Sequence, residues 1–147
     1  MSQSLIHHLN AELATAWIIG FNAKRYHWMV SGPHFRDYHL RFDDLHGAVE
    51  GTIDELGERI RMLGGTPIHS PSHMEAQSAV KVSDPKKKLD PKAMLAEALA
   101  AEEKAIALMH TGIDLASKEH DPGTADLLTR FVQVHQKEAW FLREMLA

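Results

Sequence analysis

Hydrophobic residues recur along this chain every three or four positions, which is the spacing of an amphipathic helix. Four segments show this spacing: Ile6, Leu9, Leu13, Ala16, Gly20 and Ala23 in the first; Phe35, Tyr38, Phe42, Leu45, Val49, Ile53, Leu56, Ile60 and Leu63 in the second; Met94, Ala98, Ala101, Ala105, Leu108, Gly112 and Leu115 in the third; and Leu128, Phe131, His135, Ala139, Leu142 and Leu146 in the fourth. No segment shows the alternation of a β-strand. The pattern therefore predicts an all-α chain with four long helices.

Turn-forming residues separate these segments. Ser31-Gly32-Pro33 and Asp121-Pro122-Gly123 predict tight turns, and Gly64-Gly65-Thr66-Pro67 begins a long connection in which residues 72–80 are predicted to form a short extra helix. Asp90-Pro91 and Asp121-Pro122 each supply an N-cap acid followed by proline at the first helical position. Helices of about 25 to 30 residues are much longer than the usual mean of about 11 to 12. They favour a four-helix bundle that forms one domain over residues 1–147.

The composition narrows the classes of function. The chain has no cysteine, which excludes disulfides, thiolate zinc sites and thiol nucleophiles. No segment approaches the roughly 20 apolar residues of a membrane span, and the first residues lack the basic start of a signal peptide, so we expect a cytoplasmic protein without membrane contact. The 11 histidines among 147 residues are the unusual feature, and they raise a metal-binding hypothesis.

The second helix carries the chemistry that supports this hypothesis. A polar stripe borders its apolar stripe on a helical projection and is formed by His39, Asp43, His46, Glu50, Asp54 and Glu58. Imidazoles and carboxylates beside a core are costly to bury unless a partner satisfies them, and a metal ion would do so. The helix alone leaves a second interpretation open, a solvated flank paired in part with Arg59 or Arg61.

Helix geometry divides these ligands into two groups. His39 and Asp54 lie fifteen positions apart, which is about 22 Å along a helix, so they cannot bind one ion within a single chain. Two copies of the helix, packed antiparallel across a two-fold axis, would bring His39 and Asp43 of one copy against Asp54 and Glu58 of the other. Small residues that allow close approach lie near the predicted crossing: Gly47, Ala48 and Gly51.

The remaining donors refine the choice of metal. Asp43-x-x-His46 is the only acid-x-x-His motif, so an intrachain di-iron centre, which needs such a motif on each of two helices, is poorly supported. His27 continues the first apolar stripe and is either a core histidine or a further ligand. Histidines and carboxylates without thiolate suit iron(II) better than structural zinc, although zinc and manganese are compatible with the same donors.

Several motifs together indicate a family. They are His27-Trp28, Gly32-Pro33-His34-Phe35, His39, Asp43, Asp54-Glu55-Leu56-Gly57-Glu58-Arg59, Leu63-Gly64-Gly65-Thr66-Pro67 and Ala139-Trp140-Phe141-Leu142. In this order and spacing the chain resembles the Dps family of mini-ferritins over nearly its whole length. The resemblance implies a ferritin-like homo-oligomer, a dodecameric shell that oxidises iron(II) with hydrogen peroxide and stores iron(III) mineral, and thereby protects against oxidative damage.

The resemblance also implies roles for individual residues. A ferroxidase centre at each two-fold interface would take His27, His39 and Asp43 from one subunit and Asp54 and Glu58 from its neighbour. Trp28 would either lie beside this centre as an electron donor or pack in the core.

Three further positions depend on the same resemblance. An acid-lined iron-access pore matches Asp126 and, less well, Asp121, whose alternative role is an N-cap; Arg130 stands where some relatives carry another acid and would weaken the pore. His46 departs from the family pattern, and we expect it to pack rather than to bind a third metal ion. Gly57 replaces a common alanine at a cost of about 1 kcal/mol of helix stability.

Direct DNA binding is the competing hypothesis, because many relatives condense DNA through a lysine-rich tail. Here the first ten residues contain no Lys or Arg, and the last predicted helix runs to the end of the sequence. Twelve copies of a chain with net charge −4 would carry roughly −48, which repels a phosphate backbone. Lys86-Lys87-Lys88 is the only basic run and is expected to be a solvated loop. The sequence therefore favours iron oxidation over DNA binding.

Overall fold

The computed structural model describes residues 3–147. Five helices account for most of this range: α1 Gln3–Met29, α2 Phe35–Met62, α3 Pro71–Gln77, α4 Pro91–Lys118 and α5 Pro122–Leu146. The hairpin of α1 and α2 packs against the hairpin of α4 and α5, with α1 on α4 and α2 on α5. The described residues contain no strand. The predicted all-α four-helix bundle, with a short helix between the second and third long ones, is confirmed.

Local capping explains where the helices begin and end. The Asp90 and Asp121 side chains accept hydrogen bonds from the backbone N–H groups of Ala93 at 2.7 Å and Thr124 at 3.0 Å, so both predicted N-caps are confirmed. The extra helix ends earlier than residue 80, since the Ser78 hydroxyl donates to the carbonyl oxygen of Val80 at 2.6 Å. A serine that bonds its own local backbone competes with helix continuation.

Apolar side chains fill the bundle in two clusters. One lies around Tyr26, Phe42, Leu45, Val49 and Leu95, and the other around Leu9, Leu56, Ile60, Met109 and Leu128. In the described part of the chain, no helix has both the length and the apolar character that a membrane crossing needs. The buried faces agree with the predicted stripes, with Phe35 as an exception because its side chain is 42% exposed.

A buried polar group interrupts this apolar interior. Glu12, Glu102 and His135 come from three different helices and are at most 1% exposed. His135 Nδ1 is hydrogen-bonded to a carboxylate oxygen of Glu102, while Glu12 lies 3.1 Å from His8 Nε2. Burial raises the pKa of Glu12, and the hydrogen bond from His8 only partly opposes that effect. Gly112 leaves the room that this carboxylate occupies, because a Cβ there would lie 2.5 Å from Glu12 Oε1.

Polar residues of α1 hold the long connection in place. Asn10 donates to the carbonyl of Thr66 at 3.0 Å and accepts from the N–H of Ile68 at 2.8 Å. Asn22 does the same further along, donating to the carbonyl of Lys81 at 3.0 Å and accepting from Ser83 at 2.8 Å. The connection therefore packs along α1 beside the apolar groove described below.

Candidate metal centre

Two stacked histidines join the end of α1 to the start of α2. The rings of His27 and His39 lie 3.8 Å apart at an interplanar angle of 11°. Nδ1 of His27 lies 2.6 Å from the carbonyl oxygen of His39, and Nδ1 of His39 lies 2.7 Å from the carbonyl oxygen of His27. A carbonyl oxygen only accepts, so each Nδ1 carries the hydrogen. In the neutral rings both Nε2 atoms then keep a lone pair for a metal ion, as is usual for metal-binding histidines.

Phe35, Asp43 and Lys24 surround the two histidines. Phe35 stacks on His39 with ring centroids 4.9 Å apart, and this contact explains why Phe35 is not buried in the core as its apolar stripe predicted. Asp43 Oδ1 lies 4.0 Å from His27 Nε2 and accepts a hydrogen bond from Lys24 Nζ at 2.8 Å. That hydrogen bond, together with the positive charge of Lys24, lowers the pKa of the Asp43 carboxyl. Lys24 thus favours the carboxylate form of Asp43, and a cation bound at this carboxylate would compete with Lys24 for it.

The two carboxylates of the second group lie elsewhere on α2. Asp54 and Glu58 are exposed and line a groove of about 490 Å³. Its other walls are mostly apolar and include Leu13, Trp17, Ile53, Pro67, Ile68 and Met74. Among the described residues, no three histidine or acidic side chains converge on a point where one metal ion could bind. The structure thus brings His27 and His39 together, with Asp43 beside His27, and places Asp54 and Glu58 apart from them on the same helix.

Trp28 follows His27 but does not enter the bundle. Its side chain is 71% exposed, so the interpretation that it packs in the core of the subunit is wrong. The physical reason is its position in the last turn of α1, where it lies about 160° around the helix from the buried Tyr26 and about 100° from the half-buried His27. An exposed tryptophan beside a candidate metal centre is available to a neighbouring subunit or to electron transfer.

His46 packs against the first helix. Its Nδ1 lies 3.1 Å from the carbonyl oxygen of Gly20, and its Nε2 lies 3.3 Å from a carboxylate oxygen of Glu50. The Nδ1 side of the ring therefore packs as predicted, while the Nε2 side faces Glu50.

Asp121 and Asp126, the two acids near the start of α5, differ in how far they are free to bind a cation. Asp121 Oδ1 accepts from Arg59 Nη2 at 2.8 Å and from the N–H of Thr124, while Oδ2 accepts from the Thr124 hydroxyl. Burial raises the pKa of Asp121, but the bonds from Thr124 and the Arg59 guanidinium outweigh it, so the pKa is lowered overall. Asp121 therefore acts as an N-cap and ion-pair partner, and Asp126 is the exposed acid of the two.

Arg130 is also committed to a partner within the chain. Its guanidinium donates to Glu55 at 2.8 Å, and Asp126 lines the same small groove. The positive charge that the sequence placed one turn after Asp126 is therefore partly offset by α2.

Sequence reasoning missed two sets of polar residues. Lys24, which holds Asp43, gave no signal because its partner is nineteen positions away and on another helix. The buried Glu102 and His135 pair was visible only as a histidine within the apolar stripe of the last helix.

Comparison with known proteins gives the same fold along nearly the whole chain. Residues 6–147 match the ferritin-like domain. The crystal structure of Dps from Thermosynechococcus elongatus is 42% identical, with a TM-score of 0.95 and coverage of 99% of this chain and 91% of that one. A DNA protection during starvation protein from Halobacterium salinarum is 35% identical over 120 residues, 82% of this chain and 65% of the relative. Dps from Vibrio cholerae, described as a member of a broad superfamily of ferritin-like diiron-carboxylate proteins, is 26% identical, with a TM-score of 0.92 and coverage of 99% and 90%.

Proposed function

Because the chain belongs to the Dps family of ferritin-like proteins, we propose that it binds and oxidises iron(II) between pairs of subunits and stores the iron(III) product. The observation that carries this proposal is the pair of cross-bonded histidines, His27 and His39, together with Asp43, whose Oδ1 lies 4.0 Å from His27 Nε2. Two imidazoles and a carboxylate make an incomplete coordination shell. The missing donors are the acids that the same helix carries at its other end.

An antiparallel pair of α2 helices would complete the shell. Asp54 and Glu58 follow His39 by fifteen and nineteen positions, about 22 to 28 Å along the helix, so only a second copy can supply them. In the antiparallel arrangement both copies meet these acids at once, and each pair forms two equivalent centres. The helix crossing would fall at Gly47, Ala48 and Gly51. A Cβ added to Gly47 or Gly51 would have no atom of another described element within 4 Å, so this surface is open to close approach.

The donor set determines the chemistry at such a centre. Imidazole and carboxylate ligands with no thiolate bind iron(II) and leave coordination positions open for an oxidant. Hydrogen peroxide accepts two electrons, one from each of two iron(II) ions, and its O–O bond breaks to give water or hydroxide. The resulting iron(III) hydrolyses, releases protons and deposits as mineral. Zinc or manganese would compete for the same donors.

The wider assembly is part of the same proposal. A dodecameric shell with a cavity for the mineral is the assembly that the family resemblance implies. Asp126, exposed near the start of α5, would then line an access pore, where clustered carboxylates concentrate cations. Trp28, 71% exposed beside His27, would supply an electron when an odd number of iron(II) ions is bound.

DNA protection by direct binding is the second candidate function. The name of the Halobacterium salinarum relative, a DNA protection during starvation protein, favours it. The formal charge of −4 per chain opposes it, because twelve copies repel a polyanion at neutral pH. Removal of iron(II) and peroxide would also protect DNA, without contact, by preventing hydroxyl-radical production.

The test compares peroxide-driven iron oxidation in the wild type and in the His39→Ala/Asp54→Ala variant. We expect rapid oxidation to be lost while the assembly stays intact by light scattering, because neither side chain is buried in the core of the single chain. His73→Ala, which removes an exposed histidine from α3, is the matched control and should oxidise normally. Unchanged kinetics in the double variant would refute the assignment, and DNA retardation at moderate salt without any oxidation would favour the second candidate.

A further inference from the structure

His46 has the same hydrogen-bonding arrangement as the two histidines of the candidate centre, although it lies outside that centre. Its Nδ1 lies 3.1 Å from the carbonyl oxygen of Gly20, which can only accept, so this nitrogen carries the hydrogen. The ring packs directly over Gly20, where an added Cβ would lie 3.6 Å from Nδ1. α1 therefore holds the imidazole with Nε2 turned outward.

The outward nitrogen faces a carboxylate. His46 Nε2 lies 3.3 Å from Glu50 Oε2, and the two side chains are 23% and 63% exposed. At this separation His46 Nε2 and Glu50 Oε2 can both reach one metal ion. Histidine and an acid one helical turn apart is a spacing at which two side chains of one helix can share an ion.

The subunit pairing of the proposed function brings two such pairs together. If His39 of one copy meets Glu58 of the other, the two-fold axis crosses α2 between positions 48 and 49. His46 and Glu50 then lie within about 4 Å of the axis, measured along the helix at ~1.5 Å per residue. Two imidazoles and two carboxylates would therefore lie close together at the centre of the interface, next to Gly47, which has no side chain to separate the helices.

We propose that His46 and Glu50 form a second metal site, separate from the ferroxidase centre, in which two copies of the chain bind one divalent transition-metal ion on the two-fold axis. Four donors of nitrogen and oxygen type, without thiolate, accept zinc(II), cobalt(II) or iron(II). The site rests on the same subunit pairing as the proposed function, but it shares no ligand with the ferroxidase centre. Each site can therefore be removed without the other.

Cobalt(II) soaks of crystals of the full chain test the site directly. Anomalous difference maps at the cobalt edge should show density within bonding distance of His46 Nε2 in the wild type and in His39→Ala, and no such density in His46→Gln. Density at His39 without density at His46 in the wild type overturns the second site alone. Density at His46 without density at His39 contradicts the ferroxidase assignment alone.

Cobalt(II) titration by calorimetry tests the same site in solution. The wild type should bind one more ion per pair of chains than either His46→Gln or Glu50→Gln. Glu75→Gln, which changes an exposed acid on α3, is the matched control and should keep the wild-type number. Equal numbers of bound ions in the wild type and in His46→Gln would overturn the proposal.

Discussion

Replacing the glycines at the centre of α2 with alanine tests the subunit pairing, because the change should stabilise the single chain but weaken the proposed pair. Gly47 and Gly51 lie inside a helix of 28 residues, and a Cβ added to either would meet no atom within 4 Å. In the single chain, alanine at each position should stabilise the helix by about 1 kcal/mol, and by about 2 kcal/mol together. Gly57→Ala should give a similar gain of about 1 kcal/mol, since its Cβ would lie 3.9 Å from that of Pro67.

The proposed crossing reverses this expectation for two of the three glycines. In an antiparallel pair each new methyl appears twice at the closest approach of the two helices, and overpacking of this kind costs about 1–3 kcal/mol per site. The Gly47→Ala/Gly51→Ala variant should therefore assemble more weakly than the wild type. Gly57→Ala should assemble normally and melt about 2–4 °C higher.

Light scattering after size exclusion, combined with thermal unfolding followed by circular dichroism, distinguishes these outcomes. If the double variant forms the wild-type assembly and melts higher, as Gly57→Ala does, the crossing does not lie at these positions. The intersubunit centre would then need another geometry to bring Asp54 near His39.

Two further predictions concern stability. Asp121→Asn keeps a capping side chain but loses the ion pair with Arg59. Because folding lowers the pKa of Asp121, the contribution of its carboxylate to stability is full above the usual aspartate pKa and disappears as the pH falls through the folded value. The variant should therefore lose up to about 1 kcal/mol in urea unfolding at neutral pH, and a deficit that persists in strong acid would contradict this explanation. His135→Leu leaves the fully buried Glu102 without its partner and should cost about 3–5 kcal/mol, whereas Glu102→Leu/His135→Leu should recover much of that loss; equal stability of the single and double variants would show that the pair is not coupled.

Much of the fold could be predicted from local sequence signals. The apolar spacing and the flanking turns at Ser31-Gly32-Pro33 and Gly64-Gly65 predict the second helix at residues 35–63, and the structure has Phe35–Met62. The short helix ends three residues earlier than predicted because the Ser78 side chain bonds the local backbone there, an interaction that spacing does not reveal. Local rules succeed here because caps, turns and amphipathic faces depend on neighbours in sequence.

The part of the candidate centre that lies on one helix was predictable, and the contacts between helices were not. The candidate ligands of α2 share one helix, so helical geometry alone separates them into two groups. The cross-bonding of His27 with His39 depends on how α1 returns as α2, and the bond from Lys24 to Asp43 depends on the same contact. Glu12, Glu102 and His135 come from three helices, so their burial follows only from tertiary packing.

The reciprocal bonds of His27 and His39 have a consequence for turnover. Both rings are held by backbone carbonyl groups. They would therefore keep the same rotamers after a bound ion leaves. If the chain oxidises iron(II) as proposed, each product ion must leave before the next ion binds. Histidines that keep their binding geometry in the empty centre then lose no conformational entropy when the next ion binds.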